Sequence, residues 1–162
     1  MSTQRITTSL WFDTRAVEAA EFYCSIFEDS RIVSVADYPA GTDKAGTPMV
    51  VEWEMLGQRF TAINGGPQFS FTEAISLAIE CVDQEEIDRY WALLTDGGEE
   101  GPCGWCKDRF GLSWQVRPAD MTRFWTGDPG VAARTAQAMF AMRKLDIAGL
   151  EAAHAGAAHA AA

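Results

Sequence analysis

The segment ITTSLWFD at residues 6–13 is the stretch from which the fold of this chain is predicted. Its side chains alternate, with Leu10 and Phe12 on one face, which is typical of a β-strand. Asp13 closes the segment at the position of a predicted helix cap. Residues 15–27 follow with apolar side chains at helical spacing, so a strand followed by a helix is expected.

Three further strands are predicted after this helix. Residues 31–38, 48–56 and 59–64 carry the alternation expected of strands, and a Gly/Pro-rich loop at 39–48 separates the first two. The first part of the chain therefore has the predicted order βαβββ.

The same pattern then starts again. Residues 74–82 form a predicted strand that ends in Asp83, as the first strand ended in an aspartate, and residues 84–94 carry a helical apolar stripe. Short strands are predicted at 99–106 and 112–116. This order indicates an internal repeat of about 70 residues.

We therefore predict an α+β fold with helices outside a curved mixed sheet that is shaped as a half-barrel. Two βαβββ modules, at about 4–66 and 74–118, would build this sheet. A C-terminal helical region at 128–153 would complete a single domain over 1–153, and residues 154–162 are expected to be a disordered Ala-rich tail.

The composition argues against nucleic acid and membrane partners. The net charge is −10, with 13 Lys and Arg against 23 Asp and Glu, and polyanions require the opposite balance. No apolar run approaches the ~18 residues of a membrane span, and no secretory signal is recognised. Four irregularly spaced cysteines do not suggest a disulfide scaffold, so a reducing, bacterial-type cytoplasm is the expected location.

Histidine is nearly absent from the chain. The two histidine residues, His154 and His159, both lie near the C-terminal end. The preceding residues therefore contain no imidazole for a metal site, a Ser-His-Asp triad or a Cys-His pair. Any chemistry in this part of the chain would have to use carboxylates, Cys, Tyr, Lys or Arg.

Several motifs along residues 6–153 resemble a known family. They are LWFD at 10–13 with EFY at 21–23, NGGP at 64–67, QEEID at 84–88, CGW at 103–105, DRFGLSWQ at 108–115 and KLDI at 144–147. Together they resemble the vicinal oxygen chelate superfamily, which includes glyoxalase I, bleomycin-resistance proteins and extradiol dioxygenases. Within it the sequence is most similar to the PhnB-like branch, whose members often carry the label 3-demethylubiquinone 3-methyltransferase.

The resemblance also indicates where a metal would be expected. Metal-dependent members place His or Glu at positions that correspond here to Thr8, Ser76, Gln115 and Asn64 or Ala62. These side chains are poor ligands for such a metal, so no metal is predicted. The four polar residues could instead hydrogen-bond a ligand in a pocket, or they could satisfy one another or the backbone. The resemblance further implies a homodimer.

Four other residues are candidates for the site. Trp53 and Phe69 could line a pocket for a planar apolar ligand, although core packing is the alternative for each. Glu80 would become a general base if it were buried inside the half-barrel. Cys103 is a second catalytic candidate at a pocket wall, whereas its CxxC spacing to Cys106 is not expected to serve redox or zinc chemistry.

Three functions remain open from the sequence. The first is binding of a small apolar or aromatic molecule without a metal or cofactor. The second is an enzyme, either metal-independent through Glu80 or Cys103 or a methyltransferase as the family label implies. S-adenosylmethionine would be a cofactor only in that last case, and the chain lacks the Gly-rich turn of the common class of such enzymes. The third is an interaction module whose pocket is filled by its own side chains.

Overall fold

The structure is a computed structural model that describes residues 5–156. It divides into two compact units, Met1–Phe71 and Thr72–Ala162. Each unit contains one βαβββ module with its own four-stranded mixed sheet. The predicted α+β class and the duplicated module are therefore confirmed.

The first unit contains one helix and four strands. Its elements are β1 (Thr8–Phe12), α1 (Ala16–Ile26), β2 (Arg31–Asp37), β3 (Pro48–Met55) and β4 (Gln58–Asn64). The strand order is β1-β4-β3-β2, and only the β1–β4 pair is parallel. Leu10 and Phe12 are buried, as the alternation of the first segment predicts.

The start of α1 corrects one detail of the prediction. Asp13 was expected to cap this helix, but Asn64 supplies the acceptor from the end of β4. Its Oδ1 accepts a hydrogen bond from the Ala16 amide at 2.8 Å, and its Nδ2 donates to the Pro48 carbonyl at 3.0 Å. The side chain is 7% exposed, so one buried amide ties α1 to β4 and to the start of β3.

The second unit repeats the module and adds helices. Its elements are β5 (Leu77–Cys81), α2 (Gln84–Thr95), β6 (Glu99–Glu100), β7 (Trp105–Lys107), β8 (Ser113–Pro118), a 3₁₀ turn (Met121–Phe124), α3 (Pro129–Phe140) and α4 (Ile147–Ala155). The strand order is β5-β8-β7-β6, and β5 is parallel to β8. Asp83 caps α2, because its side chain accepts a hydrogen bond from the Glu86 amide at 2.9 Å.

The predicted strand at 99–106 is in fact a hairpin of β6 and β7. Cys103 and Gly104 adopt positive φ angles of 58° and 81° and turn the chain back on itself. A Cβ at Gly104 would lie 2.7 Å from the Val116 carbonyl oxygen, so this position also needs the absence of a side chain. Alternation of apolar residues cannot reveal such a turn.

The C-terminal helical region is two helices, not one. Asp146 caps α4 by accepting the Ala148 amide at 3.1 Å. Before it, the Met142 and Arg143 carbonyls accept the Cys103 and Gly104 amides at 2.8 and 2.7 Å. These hydrogen bonds hold residues 141–146 against the β6–β7 turn, which separates α3 from α4.

An apolar cluster packs the C-terminal helices within the second unit. It contains Met121, Phe124, Leu145 and Leu150, with Met139 and Met142 against it. α4 continues to Ala155, two residues into the segment predicted as a tail, and residues 157–162 lie outside the described range. Within residues 5–156, no helix has both the length and the hydrophobicity needed to cross a bilayer.

Candidate functional site

A cavity of about 520 Å³ lies in the second unit, beside the β6–β7 hairpin and the end of α3. Its apolar side is formed by Pro102, Cys103, Trp105, Met139 and Phe140. Phe140 is 67% exposed and Trp105 is half-buried, so two aromatic side chains are available at this surface. The volume lies within the range of roughly 300–1,000 Å³ that small-molecule sites occupy.

Lys107 and Glu73 form an ion pair in the same wall. The Lys107 Nζ lies 2.6 Å from the Glu73 Oε1. The hydrogen bond between them raises the pKa of Lys107 and lowers the pKa of Glu73. Both groups are therefore charged at neutral pH.

Ser113 contributes a buried hydroxyl to the wall. It lies on β8 directly opposite Lys107 on β7, so the two side chains share one face of the sheet. Ser113 is 1% exposed, and its Oγ has no hydrogen-bond partner among residues 5–156. Buried hydroxyls are usually hydrogen-bonded, so this one is an unsatisfied polar group in the cavity wall.

The structure places Cys103 in the wall of this cavity with a half-buried side chain. Its catalytic role stays a prediction. Cys106 also borders the cavity, but burial raises the pKa of its thiol to about 12, and the Asp108 and Glu100 carboxylates add to the effect. Cys106 is therefore a protonated, unreactive thiol at neutral pH.

Glu80 does not meet the condition set for a general base. Its side chain is 58% exposed and lies on β5, and Arg117 on β8 donates to its Oε1 at 3.0 Å. The burial on which the proposed general-base role of Glu80 depends is therefore absent in this structure, and that role is not supported. The residue forms a cross-strand ion pair on an exposed face of the sheet.

The four polar residues at the positions where metal-dependent relatives place their ligands fall into two groups. In the second unit the Gln115 Nε2 donates to the Ser76 Oγ at 2.8 Å, so these two side chains satisfy each other. In the first unit Asn64 is occupied by its backbone contacts, and Thr8 is half-buried at the start of β1.

These residues do not fit a divalent metal. Hydroxyl and amide groups already engaged in hydrogen bonds do not replace imidazole and carboxylate ligands. Within residues 5–156, no group of three or more His, Cys, Asp or Glu side chains is placed to hold a metal ion.

Trp53 belongs to the core of the first unit. Its ring is fully buried and stacks between Tyr23 and Phe60, with centroid distances of 6.1 and 5.4 Å. The structure places Trp53 in the core and not at a pocket mouth, and the cavity that borders it has a volume of about 80 Å³. That volume is far below the size of a small-molecule site.

Phe69 lies on the surface of the first unit, 66% exposed, with its ring edge-on to Trp11 at 5.1 Å. The Trp11 Nε1 donates to the Gly66 carbonyl at 2.9 Å, and a Cβ at Gly65 would lie 2.1 Å from the Trp11 ring. The two glycines of the NGGP motif therefore give the Trp11 ring a hydrogen-bond acceptor and the space that it occupies.

The sequence did not single out Lys107, Ser113, Met139 or Phe140 as site residues. The cavity wall depends on the β6–β7 turn and on the break between α3 and α4, and neither feature follows from residue periodicity. The exposed aromatic ring of Phe140 at the end of a helix is the one local signal that could have suggested a surface site.

The repeated βαβββ order agrees with the fold that the resemblance to the vicinal oxygen chelate superfamily implies. The sequence profile described as 3-demethylubiquinone-9 3-methyltransferase matches residues 4–117, and the chain belongs to this family. A comparison with curated proteins found no match.

Solved structures agree with this assignment. The PhnB protein from Bacillus cereus is 36% identical, covers 70% of this chain and 98% of its own, and has a TM-score of 0.63. A protein from Pseudomonas aeruginosa is 18% identical, with 72% and 98% covered and a TM-score of 0.61. The fosfomycin resistance protein FosX from Mesorhizobium loti is 13% identical, with 76% and 97% covered and a TM-score of 0.52. The last two share the fold.

Proposed function

We propose that this protein binds a small apolar or aromatic molecule in the cavity of its second unit, without a metal ion. The observation that supports this proposal is the cavity itself, with Trp105, Met139 and Phe140 at its surface. Burial of apolar ligand surface contributes roughly 25 cal/mol per Å², and flat rings gain further from contact with aromatic side chains. An open cavity favours binding over the alternative of a pocket filled by its own side chains.

A fluorescence titration tests this proposal. N-phenyl-1-naphthylamine, a neutral probe whose emission rises in apolar surroundings, is titrated into the wild-type protein, Phe140→Ser and Phe69→Ser. The two phenylalanines are 67% and 66% exposed, but only Phe140 borders the cavity. We expect Phe140→Ser to weaken binding roughly tenfold and Phe69→Ser to leave it unchanged. The reverse pattern would favour a site at Phe69, the pocket residue predicted from the sequence. Equal affinities of all three proteins would contradict binding in the cavity.

Native mass spectrometry of protein purified from cells provides a second test. A bound metabolite would appear as a defined mass increase that Phe140→Ser reduces. A stoichiometric metal ion held by the wild-type protein would contradict a metal-independent site.

The family description favours a second candidate, methyl transfer from S-adenosylmethionine to a hydroxyl group of a quinol. Supporting it is the profile match over residues 4–117. The two mixed sheets differ from the parallel sheet that commonly holds this cofactor. Calorimetric titration with S-adenosylmethionine separates the candidates: measurable binding would support methyl transfer, and absence of heat would support a cofactor-independent binding protein.

We also propose that the chain forms a homodimer, as the superfamily resemblance implies. Exposed apolar side chains such as Ile75 and Val82, at 71% and 77%, are available for such a contact. Size-exclusion chromatography with light scattering should give twice the mass of the chain. The mass of a single chain at micromolar concentration would contradict this assembly.

A further inference from the structure

Carboxylates outnumber cations in the wall of the cavity. Glu73, Glu99 and Glu100 all border it, whereas Lys107 is the one cation among its lining residues. The chain as a whole carries a net charge of −10, so the surrounding potential has the same sign. A charged ligand that approaches this cavity therefore meets a negative surface.

The single cation is not available to an anionic ligand. Lys107 is held by Glu73 at 2.6 Å, and Glu99 lies opposite Lys107 in the β6–β7 pair. An anion would have to displace Glu73 and remain beside Glu99. Like-charge contacts of this kind oppose binding.

Glu99 is the carboxylate left for a ligand. Glu100 accepts a hydrogen bond from the Trp91 Nε1 at 3.0 Å and lies 3.6 Å from Arg143. The Glu99 carboxylate, in contrast, is exposed at the rim. It lies opposite Lys107 and interacts with that ammonium through its charge, whereas the hydrogen-bonded partner of Lys107 is Glu73.

Two further groups in the same wall suit a cationic molecule. The half-buried Trp105 borders the cavity, and cation–π contacts are strongest with tryptophan. The buried Ser113 hydroxyl lacks a partner in the described chain, so its oxygen can accept a hydrogen bond from an N–H group. The second observation is independent of the carboxylates and points to a ligand.

We infer that the ligand of this cavity is an aromatic or otherwise apolar amine that binds as its cation, an inference that rests on the proposed binding function. Its apolar body would lie against Trp105, Met139 and Phe140. Its ammonium group would lie at the rim beside Glu99.

Three probes of similar shape test this inference by calorimetry. They are 1-naphthylmethylamine, 1-naphthylmethanol and 1-naphthoate, which are cationic, neutral and anionic at pH 7. At low ionic strength we expect the amine to bind roughly fivefold tighter than the alcohol and the carboxylate to bind weakest. The advantage of the amine should shrink in 0.5 M salt, because exposed charges are screened.

Glu99→Gln is the informative variant, and Glu21→Gln on α1 is its matched control. Both remove one negative charge from exposed positions, but only Glu99 borders the cavity. We expect Glu99→Gln to reduce the amine-to-alcohol ratio to near one and Glu21→Gln to leave it at the wild-type value. An equal reduction in both variants would assign the preference to net charge and overturn the role of Glu99.

The outcomes separate this inference from the function on which it rests. Binding of the alcohol without any preference for the amine would overturn the cationic ligand and leave a neutral apolar ligand. Tightest binding of 1-naphthoate would also overturn it. Absence of binding by all three probes would contradict both the cationic ligand and the cavity as a binding site.

Discussion

Ser113 carries a buried hydroxyl that disfavours folding and borders the proposed binding cavity. Its hydroxyl is buried without a partner in the described chain, which costs free energy in the folded protein. Unsatisfied polar groups of this kind concentrate at sites where another molecule completes the hydrogen bond.

Ser113→Ala should therefore leave the free energy of unfolding unchanged or raise it by about 1 kcal/mol, since the variant removes an unpaired hydroxyl. The control is Thr135→Val, because the equally buried Thr135 Oγ1 donates to the Val131 carbonyl at 2.9 Å. The free energy of unfolding of that variant, measured in urea, should fall by about 1 kcal/mol. A larger loss for Ser113→Ala than for Thr135→Val would show that the Ser113 hydroxyl has a stabilising partner.

The thiols should differ in reactivity according to their burial. Burial raises the pKa of both Cys81 and Cys106 to about 12, so at pH 8 roughly one molecule in ten thousand carries either thiolate. Cys103 and Cys24 are half-buried. Iodoacetamide followed by mass spectrometry should label Cys103 and Cys24 first, and a saturating neutral naphthyl probe should slow only Cys103. Equal protection of Cys24 would argue against ligand binding at this cavity.

The β6–β7 hairpin is the element that positions the cavity, and Gly104 is its critical residue. Gly104→Ala should destabilise the protein by about 3 kcal/mol, because the new Cβ would meet the Val116 carbonyl in addition to the strain of a positive φ. Gly111 has a similar φ of 85° but open space around its Cα. Gly111→Ala should therefore lower the free energy of unfolding in urea by only about 1 kcal/mol. Equal losses would show that the turn tolerates the contact.

The charged row across β2, β3 and β4 predicts an acid-sensitive element. Glu54 lies between the Arg31 Nη2 at 2.6 Å and the Arg59 Nε at 3.1 Å, and these hydrogen bonds lower the pKa of its carboxyl. A carboxyl whose pKa is lower in the folded state than in the unfolded state stabilises the protein at a pH above the unfolded-state pKa. This stabilisation is lost as the pH falls through the folded-state pKa.

Glu54→Gln should therefore flatten the fall in Tm between about pH 5 and pH 3. Glu21→Gln serves as the control for loss of one negative charge. An unchanged pH dependence in Glu54→Gln would show that the Arg31 and Arg59 pairs are too well solvated to contribute.

Elements defined by neighbouring residues were predictable, whereas distant contacts were not. The Asp83 side chain caps α2 by a contact only three residues away, and the helix that begins directly after it was predicted from local spacing. The Asn64 cap of α1 acts across 48 residues, and nothing in the local sequence indicates that contact. The same limit applies to Trp53: alternation shows a side chain on one face of a strand, but not which face the helix covers.

At the scale of the whole molecule, the order of elements was the most informative property of the sequence. Two βαβββ modules and the family were recognisable because order and motifs survive without exact boundaries. The proposed binding surface was not recognisable, since it combines β7, β8, the β6–β7 turn and the end of α3. The low histidine content limits the residue types available for chemistry but could not locate the cavity.

The most direct test of the proposed site is a methyl NMR titration of protein labelled with ¹³C-methyl methionine. Met139 borders the cavity in the second unit, whereas Met55 is buried in the first. Addition of 1-naphthylmethanol should shift the Met139 methyl signal, saturate with one probe per chain, and leave Met55 unchanged. A saturable shift of Met55 with an unchanged Met139 signal would place the ligand in the first unit and contradict the proposed cavity.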